Sequence, residues 1–292
     1  MKEPLPYSIN CRGRLLTLDR PRIMGILNVT PDSFSDGGLY LRPDDALRRT
    51  EEMLAEGADI IDLGGYSSRP RAEDIAPETE LRRVIPVAEA ILARFPEMLL
   101  SIDTFRTAVA REALACGAHL INDITAGVAR PGLLGSDDTM PTLVGSYGDV
   151  PYIAMHMQGS PATMQAAPSY SDVMDEVWAF FVGRIQAARQ AGIRDLIIDP
   201  GFGFGKSIEH NYQLMAQLGR LRLLDHPLLV GISRKSMLYR PFGLQPGEVA
   251  DLTSALHLKA LEAGAGLLRV HDVAAARRIV QLYLYLQPHG TV

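Results

Sequence analysis

Cysteine is scarce in this sequence: Cys11 and Cys116 are the two cysteines among 292 residues. Cys11 lies in a polar N-terminal stretch and Cys116 at the end of a predicted helix, and their spacing matches no metal-binding motif. Two such thiols give no disulfide framework, which is typical of proteins from reducing compartments. The sequence therefore predicts a cytoplasmic protein without disulfides.

Long apolar runs and a surplus of positive charge are also absent. No stretch approaches the ~18 apolar residues of a membrane span, and the first ten residues, with Pro4 and Pro6, lack the apolar region of a signal peptide. The net charge is −5, from 29 basic and 34 acidic residues. We therefore expect neither nucleic acid nor membrane as a partner, and any phosphorylated ligand requires a local concentration of cations.

Short apolar runs alternate with longer amphipathic segments along the chain. The runs are rich in Ile, Leu, Val and Met, which is typical of strands buried on both faces of a parallel sheet. Eight βα units favour an α/β fold of the closed (β/α)₈ TIM-barrel type, and an open doubly wound sheet is the alternative. The predicted strands are Arg22–Leu27, Asp59–Leu63, Leu99–Ile102, His119–Ile121, Tyr152–Met155, Leu196–Ile198, Leu228–Gly231 and Gly266–Val270.

The helix predictions fill the gaps between these strands. A weak helix is predicted near Pro131–Gly145, and no role is assigned to Gly135–Val150. Residues 1–20 are expected to form a short hairpin at the bottom of the barrel, and residues 21–292 a single domain, since no linker interrupts them. The stronger helices are Asp44–Glu56, Glu78–Phe95, Thr107–Cys116, Asp172–Ala191, Glu209–Leu218, Leu252–Ala263 and Asp272–Leu286.

Each predicted strand is apolar until its last residues and then turns polar. In a barrel these residues project at the C-terminal rim, where barrel enzymes place their active sites. A single polar residue after a strand is commonly a helix N-cap, an interpretation that suits Asp123 and Asp272. The whole set indicates a pocket with carboxylates and amides for a heterocycle and cations for an anion. Its members are Asn28, Asp62, Asp103, Asn122, Asp123, His156, Asp199, Ser233, Arg234, Lys235, Arg269 and His271.

Two loops at this rim have an unusual composition. Thr30–Gly38 carries acids, hydroxyls, an aromatic residue and a glycine pair, which suits a solvated turn or a glycine-hinged lid. Gly231–Ser236 places two adjacent cations at a helix start. Because cations at a helix N-terminus oppose the helix dipole, this placement favours a functional role.

A third loop, Asp199–Ser207, nearly imitates a phosphate-binding loop. Pro200 stands where the first glycine of that motif belongs, so a nucleotide site is not favoured. The glycines of the loop instead allow the backbone to approach a flat ligand, with Phe202 or Phe204 stacking on it. A flexible loop with aromatic residues in the core is the alternative.

Together these blocks resemble the signatures of the dihydropteroate synthase family of pterin-binding enzymes. Ile26 to Gly38 is similar to the first signature and Asp62 to Pro70 to the second. The resemblance implies a barrel that condenses 6-hydroxymethyl-7,8-dihydropterin pyrophosphate with p-aminobenzoate to give 7,8-dihydropteroate and pyrophosphate. The remaining blocks, in family order, are Ser101–Thr104, Ile121–Asp123, Met155–Gly159, Asp199–Lys206, Gly231–Ser236 and Arg269–Asp272.

The resemblance also implies a role for each matching residue. The polar groups of the pterin are expected to be held by Asp103, Asn122, Asp199 and Lys235. Its apolar contacts are expected from Met155, Phe204 and Gly231. The pyrophosphate site is expected to contain Arg269, His271 and Asn28, with Asn28 near a Mg²⁺ cofactor. The surroundings of p-aminobenzoate are expected to include Phe34, Ser68, Arg69, Pro70, Phe204 and Ser236. The residues expected to serve catalysis are Asn28, Asp32, Asp62, Lys235, Arg269 and His271.

The second signature departs from the usual Glu-Ser-Thr-Arg-Pro-Gly of the family. This chain has Tyr66 for the glutamate, Ser68 for the threonine and Arg71 for the glycine. These changes bear on p-aminobenzoate affinity and on loop closure, whereas the residues of the pterin and pyrophosphate sites match the family.

The implied reaction breaks a C–O bond at the pterin methylene and needs no covalent enzyme nucleophile. Arg269, His271 and Mg²⁺ would neutralise the leaving pyrophosphate, after which the arylamine attacks. The amine proton passes to water or to pyrophosphate, and the sequence leaves both open. The family forms dimers, so we expect a homodimer.

Two alternative functions are compatible with a pterin-binding barrel. A methyltetrahydrofolate–corrinoid methyltransferase would lack the Asp-Ser-Phe-Ser-Asp-Gly-Gly loop and the Ser-Arg-Lys-Ser block, both of which this chain has. A non-catalytic pterin-binding paralogue is indicated only by the altered second signature.

Overall fold

The chain begins with a short hairpin, described here from a computed structural model that covers residues 7–30, 43–68, 74–130 and 133–287. Strands β1 (Ser8–Cys11) and β2 (Arg14–Thr17) pair antiparallel. Arg12 and Gly13 connect them with φ angles of 56° and 83°. Two left-handed residues give the turn whose twist matches that of the flanking strands, which explains the glycine at this position. The predicted N-terminal hairpin is confirmed.

Eight further strands form a parallel barrel. A bridge between Ile198 and Leu228 and a 2.9 Å hydrogen bond from the Ile198 N–H to the Pro227 carbonyl join the two end strands. The predicted barrel is therefore confirmed over the open sheet. The strands are β3 (Arg22–Asn28), β4 (Ile60–Gly64), β5 (Leu99–Asp103), β6 (Leu120–Asp123), β7 (Tyr152–Met155), β8 (Leu196–Asp199), β9 (Leu229–Val230) and β10 (Leu267–Val270). Their order is β8-β7-β6-β5-β4-β3-β10-β9.

Helices pack outside the barrel, and several begin at side-chain caps. Asp172 accepts from the N–H groups of Met174 and Asp175, and Ser207 forms a reciprocal capping box with His210, so the first turns of two helices are satisfied locally. The helices are α1 (Pro43–Glu56), α2 (Pro77–Arg94), α3 (Thr107–Ala115), α4 (Met140–Tyr147), α5 (Val173–Gln190), α6 (Ile208–Gln217), α7 (Ser236–Tyr239), α8 (Ala250–Glu262) and α9 (Val273–Leu286).

The weak helix predicted near Pro131–Gly145 is misplaced. The helix there is α4, which begins at Met140 and ends before Gly148, whose φ is 72°. Pro141 explains the shift, because proline fits the first turn of a helix but breaks its interior. The stretch Gly135–Val150 thus consists of a turn, α4 and the chain reversal after it.

The bottom of the barrel is filled by one apolar side chain from each strand and by the hairpin. Ile9, Cys11 and Leu16 of the hairpin pack on this layer. Burial of each such side chain stabilises the fold by about 1.5–3 kcal/mol. With this end closed, a ligand reaches the barrel from the opposite end. The eight strand residues are Met24, Ile60, Leu99, Leu120, Ile153, Ile197, Leu229 and Leu267.

Within the described ranges, no helix is both long enough and apolar enough to cross a membrane. Cys11 is buried and Cys116 partly exposed, and both are free thiols.

Candidate active site

A cavity of about 60 Å³ opens at the carboxyl ends of the strands. The register explains how polar residues meet there: Asn28 pairs with Gly64, Gly64 with Asp103, and Asp103 with Asn122. The strand ends therefore form one row around the rim, as the predicted barrel requires. The lining residues are Ile26, Ser68, Asp103, Asn122, Ile124, Met155, Asp199, Phe204, Gly231, Ser233, Lys235, Arg269 and His271.

Arg269 is held between two carboxylates. Its Nε donates to Asp62 Oδ2 at 2.6 Å, and its Nη2 donates to Asp103 Oδ2 at 2.5 Å. Asn122 Nδ2 also donates to Asp62 Oδ2 at 2.9 Å. Asp62 is fully buried and acts through Arg269 and Asn122, whereas Asp103, Asn122 and Arg269 line the cavity.

The pKa values of this group reflect burial and the ion pairs. Burial raises the pKa of Asp103 to about 7, and the Arg269 guanidinium opposes the rise. Burial acts to lower the pKa of Arg269, but the carboxylates of Asp62 and Asp103 outweigh it and raise that pKa above its usual range. Arg269 therefore stays charged while Asp103 titrates near neutral pH.

Asp199 and Lys235 face the cavity from the opposite side of the barrel. Asp199 Oδ1 accepts from the Gly201 N–H at 2.8 Å. Lys235 Nζ donates to the Phe202 carbonyl and lies 4.8 Å from the centroid of the Phe204 ring. Burial raises the pKa of Asp199, and Lys235 opposes the rise. Burial lowers the pKa of Lys235 to about 8. The carboxyl group of Asp199 and the amino group of Lys235 thus both line this side of the cavity.

The loop between β8 and α6 takes its shape from a buried lysine. Lys206 Nζ lies 2.9 Å from His156 Nδ1 and donates to the carbonyls of Gly201 and Phe204 at 2.9 and 3.2 Å. Lys206 is thus a structural residue of the loop, in agreement with the rejected nucleotide site. The loop directs Phe204 into the cavity, whereas Phe202 is fully buried in the core.

His271 is oriented by Ser233. The His271 Nδ1 lies 3.0 Å from Ser233 Oγ, and the Arg49 Nη2 donates to the His271 carbonyl at 3.1 Å. Both His271 and Arg269 line the cavity, as expected for residues two apart at the end of one strand.

Several residues of the predicted polar rim lie outside the lining of the cavity. Asp272 caps α9, so it fits the N-cap interpretation. Asp123 accepts from the Thr125 and Gly127 N–H groups and from the Tyr152 hydroxyl, and because a turn and not a helix follows it, the N-cap interpretation is wrong for Asp123. Asn28 is half-buried at the end of β3, and Ser236 is half-buried at the start of α7.

Four predicted site residues, Asp32, Phe34, Arg69 and Pro70, lie outside the described residues. The sequence prediction missed Ile26 and Ile124 as lining residues, and it gave Ser233 no role beyond the polar rim. Ile26 could have been found from alternation along β3, because it lies two residues before Asn28 on the same face.

Residues 24–271 match the family of pterin binding enzymes. The chain is 45% identical over 278 residues to dihydropteroate synthase from Escherichia coli (strain K12). These 278 residues cover 94% of this chain and 95% of that protein. The chain belongs to the dihydropteroate synthase family.

Solved structures of dihydropteroate synthases have the same fold. The Xanthomonas albilineans enzyme with 4-aminobenzoic acid has a TM-score of 0.88 at 44% identity, over 98% of this chain and 100% of that chain. The same enzyme in complex with 7,8-dihydropteroate has a TM-score of 0.84 at 43% identity, over 97% and 100%. The likeness of this chain to the dihydropteroate synthase family thus extends over nearly the whole length of both proteins.

Proposed function

We infer that this protein is a dihydropteroate synthase, which condenses 6-hydroxymethyl-7,8-dihydropterin pyrophosphate with p-aminobenzoate to give 7,8-dihydropteroate and pyrophosphate. The observation that carries the inference is the rim cavity, in which Asp103, Asn122 and Asp199 lie with Lys235 and Arg269. Related enzymes bind 4-aminobenzoic acid and 7,8-dihydropteroate, the second substrate and the product of this reaction.

The proposed pterin site uses both sides of the cavity. Asp103 and Asp199 would accept hydrogen bonds from the amino and N–H groups of the ring, and Asn122 and Lys235 would donate to its nitrogen and carbonyl groups. Met155, Phe204 and Gly231 would provide the apolar contacts. The rigid Asp62–Arg269–Asp103 chain supports this assignment, because it fixes one acceptor before the ligand arrives.

The proposed pyrophosphate site lies beside it at the end of β10. Arg269 and His271 would bind the phosphate oxygens, since a guanidinium and an imidazole both offer N–H donors to them and both line the cavity. As the C–O bond breaks, both electrons leave with pyrophosphate, and these groups stabilise its charge. The amine of p-aminobenzoate then forms the new C–N bond and loses a proton. Neither cysteine is near this site, and no covalent nucleophile is needed.

We propose that Mg²⁺ binds beside this site, where side-chain oxygen atoms are available to hold it. Asn28 Oδ1 and the Asp103 side chain both approach Gly64, where a Cβ would lie 3.4 Å from each, and Asp62 Oδ1 is buried without a hydrogen-bond partner among the residues that the structure describes. The described residues contain no metal-binding group of three or more His, Cys, Asp and Glu. This donor set suits a magnesium ion that shares phosphate oxygens and water, and such an ion would neutralise the leaving group.

The p-aminobenzoate site is proposed to lie where Ser68 and Phe204 meet the cavity. Ser236, half-buried at the start of α7, is proposed to offer its hydroxyl to the carboxylate of the substrate. Phe34, Arg69 and Pro70 complete the expected set.

A coupled assay decides between this function and the alternatives. We expect purified protein with both substrates and Mg²⁺ to release pyrophosphate and form dihydropteroate in equal amounts. A non-catalytic pterin-binding paralogue would bind the pterin pyrophosphate without either product. A corrinoid methyltransferase would instead transfer a methyl group from methyltetrahydrofolate.

A homodimer is proposed as the assembly. Leu282, Tyr285 and Leu286 near the end of α9 are 44%, 79% and 60% exposed, and a second copy would cover such apolar groups. Light scattering of the purified protein should give twice the mass of 31.9 kDa. A monomer at micromolar concentration would contradict this assembly.

A further inference from the structure

One guanidinium outside the cavity connects four separate segments of the rim. Arg106, which precedes α3, has a completely buried side chain. A buried guanidinium needs acceptors for its N–H groups, because leaving them unpaired costs several kcal/mol. The acceptors are the carboxylates of Glu80 and Asp74 and the carbonyls of Ile75 and Leu134, at 2.5, 3.1, 2.5 and 2.7 Å. With Arg106 and Tyr66, these residues are called the Arg106 cluster below.

Tyr66 is the member of the cluster that leads to the cavity. Its ring meets the edge of Phe105 at a centroid distance of 5.0 Å and an angle of 89°. The Arg106 guanidinium lies 5.0 Å from the same ring, within cation–π range, and the same guanidinium donates to Asp74 at 3.1 Å. The ring is thus held between Phe105 and Arg106, and Ser68, two residues along the chain, lines the cavity.

The ring of Tyr66 also rests on the apolar wall of the substrate site. Phe105, Ile124 and Met155 belong to one buried cluster, against which both Tyr66 and Phe204 pack. Ile124, Met155 and Phe204 line the cavity itself. The position of Tyr66 is therefore set by Arg106 on one side and by cavity-lining residues on the other.

We propose that Arg106 and Tyr66 are positioning residues for p-aminobenzoate, which hold Ser68 at the substrate cavity. The proposal rests on the dihydropteroate synthase function. The guanidinium binds the chain on both sides of residues 67–73: it contacts Tyr66 before them and Asp74 and Ile75 after them. Neither residue of the pair lines the cavity, so both act through the backbone that carries Ser68.

The charges of the cluster explain a tyrosine at this position. Asp74 and Glu80 already give two carboxylates to one guanidinium. Burial, followed by the charge of Asp74, raises the pKa of Tyr66 to about 12, so its hydroxyl remains a neutral donor near pH 7. Tyr66 thereby adds a ring contact to the guanidinium without a third negative charge.

The test separates the two substrates. In Tyr66→Leu and Arg106→Lys, we expect the KM for p-aminobenzoate to rise at least about fivefold, because misplacing one binding group weakens its contacts. The Kd for pterin pyrophosphate, measured by calorimetry, should change by less than about twofold, since the four polar residues proposed to hold its ring are not changed. Tyr66→Phe keeps the ring contacts, so its KM for p-aminobenzoate should lie closer to that of the wild-type chain than to that of Tyr66→Leu.

Matched controls lie at the other end of the barrel. Arg22 pairs with Asp59 and Asp19, and the Tyr7 hydroxyl donates to Asp225 at 3.0 Å. Arg22→Lys and Tyr7→Phe remove the same kinds of contact far from the site. We expect them to change stability without changing either substrate's affinity.

An unchanged KM for p-aminobenzoate in Tyr66→Leu overturns the proposal. An equal loss of affinity for p-aminobenzoate and for pterin pyrophosphate also overturns it. If Arg106→Lys does not fold, the two Tyr66 variants decide. Calorimetric binding of p-aminobenzoate in the presence of pyrophosphate is a second measurement that needs no turnover. A wild-type chain that binds p-aminobenzoate without making dihydropteroate would refute the synthase function alone, and one that does neither refutes both.

Discussion

A single carboxylate, Asp199, is central to the proposed pterin site. One of its oxygens accepts from Gly201, and the residue lines the cavity. Asp199→Asn preserves the size of the side chain and removes its charge. It also replaces one acceptor oxygen by an NH₂ group, which faces the N–H donors of the pterin ring. Because a buried donor without an acceptor costs about 1–3 kcal/mol, we expect at least about tenfold weaker binding of pterin pyrophosphate by calorimetry.

The control for this variant is Asp251→Asn on the exposed side of α8. Asp251→Asn removes the same charge from the protein, and its affinity for pterin pyrophosphate should equal that of the wild-type chain. Equal affinities for Asp199→Asn and the wild-type chain would exclude Asp199 as a pterin ligand.

The raised pKa of Asp103 predicts a pH dependence of pterin binding. With a pKa of about 7, Asp103 is protonated below pH 7 and loses acceptor strength toward ring donors. Between pH 8 and pH 6 the affinity for pterin pyrophosphate should therefore fall roughly tenfold. Asp103→Asn should bind weakly at both pH values. If the variant keeps the slope of the wild-type chain, another group is responsible for it.

At the scale of elements, the β8–α6 loop depends on close backbone contacts. A Cβ on Gly205 would lie 2.2 Å from the Gln158 carbonyl oxygen, whereas one on Gly13, in the hairpin turn, would have no neighbour within 4 Å. Both residues have positive φ, so both alanine variants pay a conformational cost of about 1–2 kcal/mol.

Only Gly205→Ala adds a clash with backbone. By urea denaturation, we expect it to lose at least about 2 kcal/mol more than Gly13→Ala, together with weaker pterin binding through a displaced Phe204. Similar losses for the two variants would mean that the loop can move without cost.

The strands were predictable because buried parallel strands are continuous apolar runs, and the predicted bounds lie within two residues of those observed. The rim site followed, since parallel strands bring their ends together. Alternation distinguishes Asn122, which lines the cavity, from its neighbour Asp123, which caps a turn. The Arg106 cluster was not predictable, because its contacts join residues 26 to 40 positions apart and leave no local pattern. The four-residue α7 was too short to show a helical period.

For the whole molecule, the hairpin at the bottom of the barrel should contribute stability but not affinity. Leu16 is 6% exposed and packs on the barrel layer, whereas its neighbour Leu15 is 68% exposed. Leu16→Ala should lower the free energy of unfolding by about 2–4 kcal/mol, while Leu15→Ala should leave it nearly unchanged. Neither variant should alter the KM for p-aminobenzoate, because the proposed site of this substrate lies at the opposite end of the barrel. A change in that KM would show that the two ends are coupled.

Barrel closure between β8 and β9 is much slighter than pairing elsewhere. A single bridge from Ile198 to Leu228 joins them, whereas β3 and β4 pair at five positions. Asp199 lies on the β8 side of this junction, called the seam below, and Lys235 lies on the β9 side. A pterin bound to both residues would therefore hold the two sides of the seam together. Opening of the seam and loss of the ligand then become a single event. The amide proton of Ile198, which donates to the Pro227 carbonyl across the seam, should exchange with solvent faster than those of β4 in the free protein, and the bound pterin should slow it most.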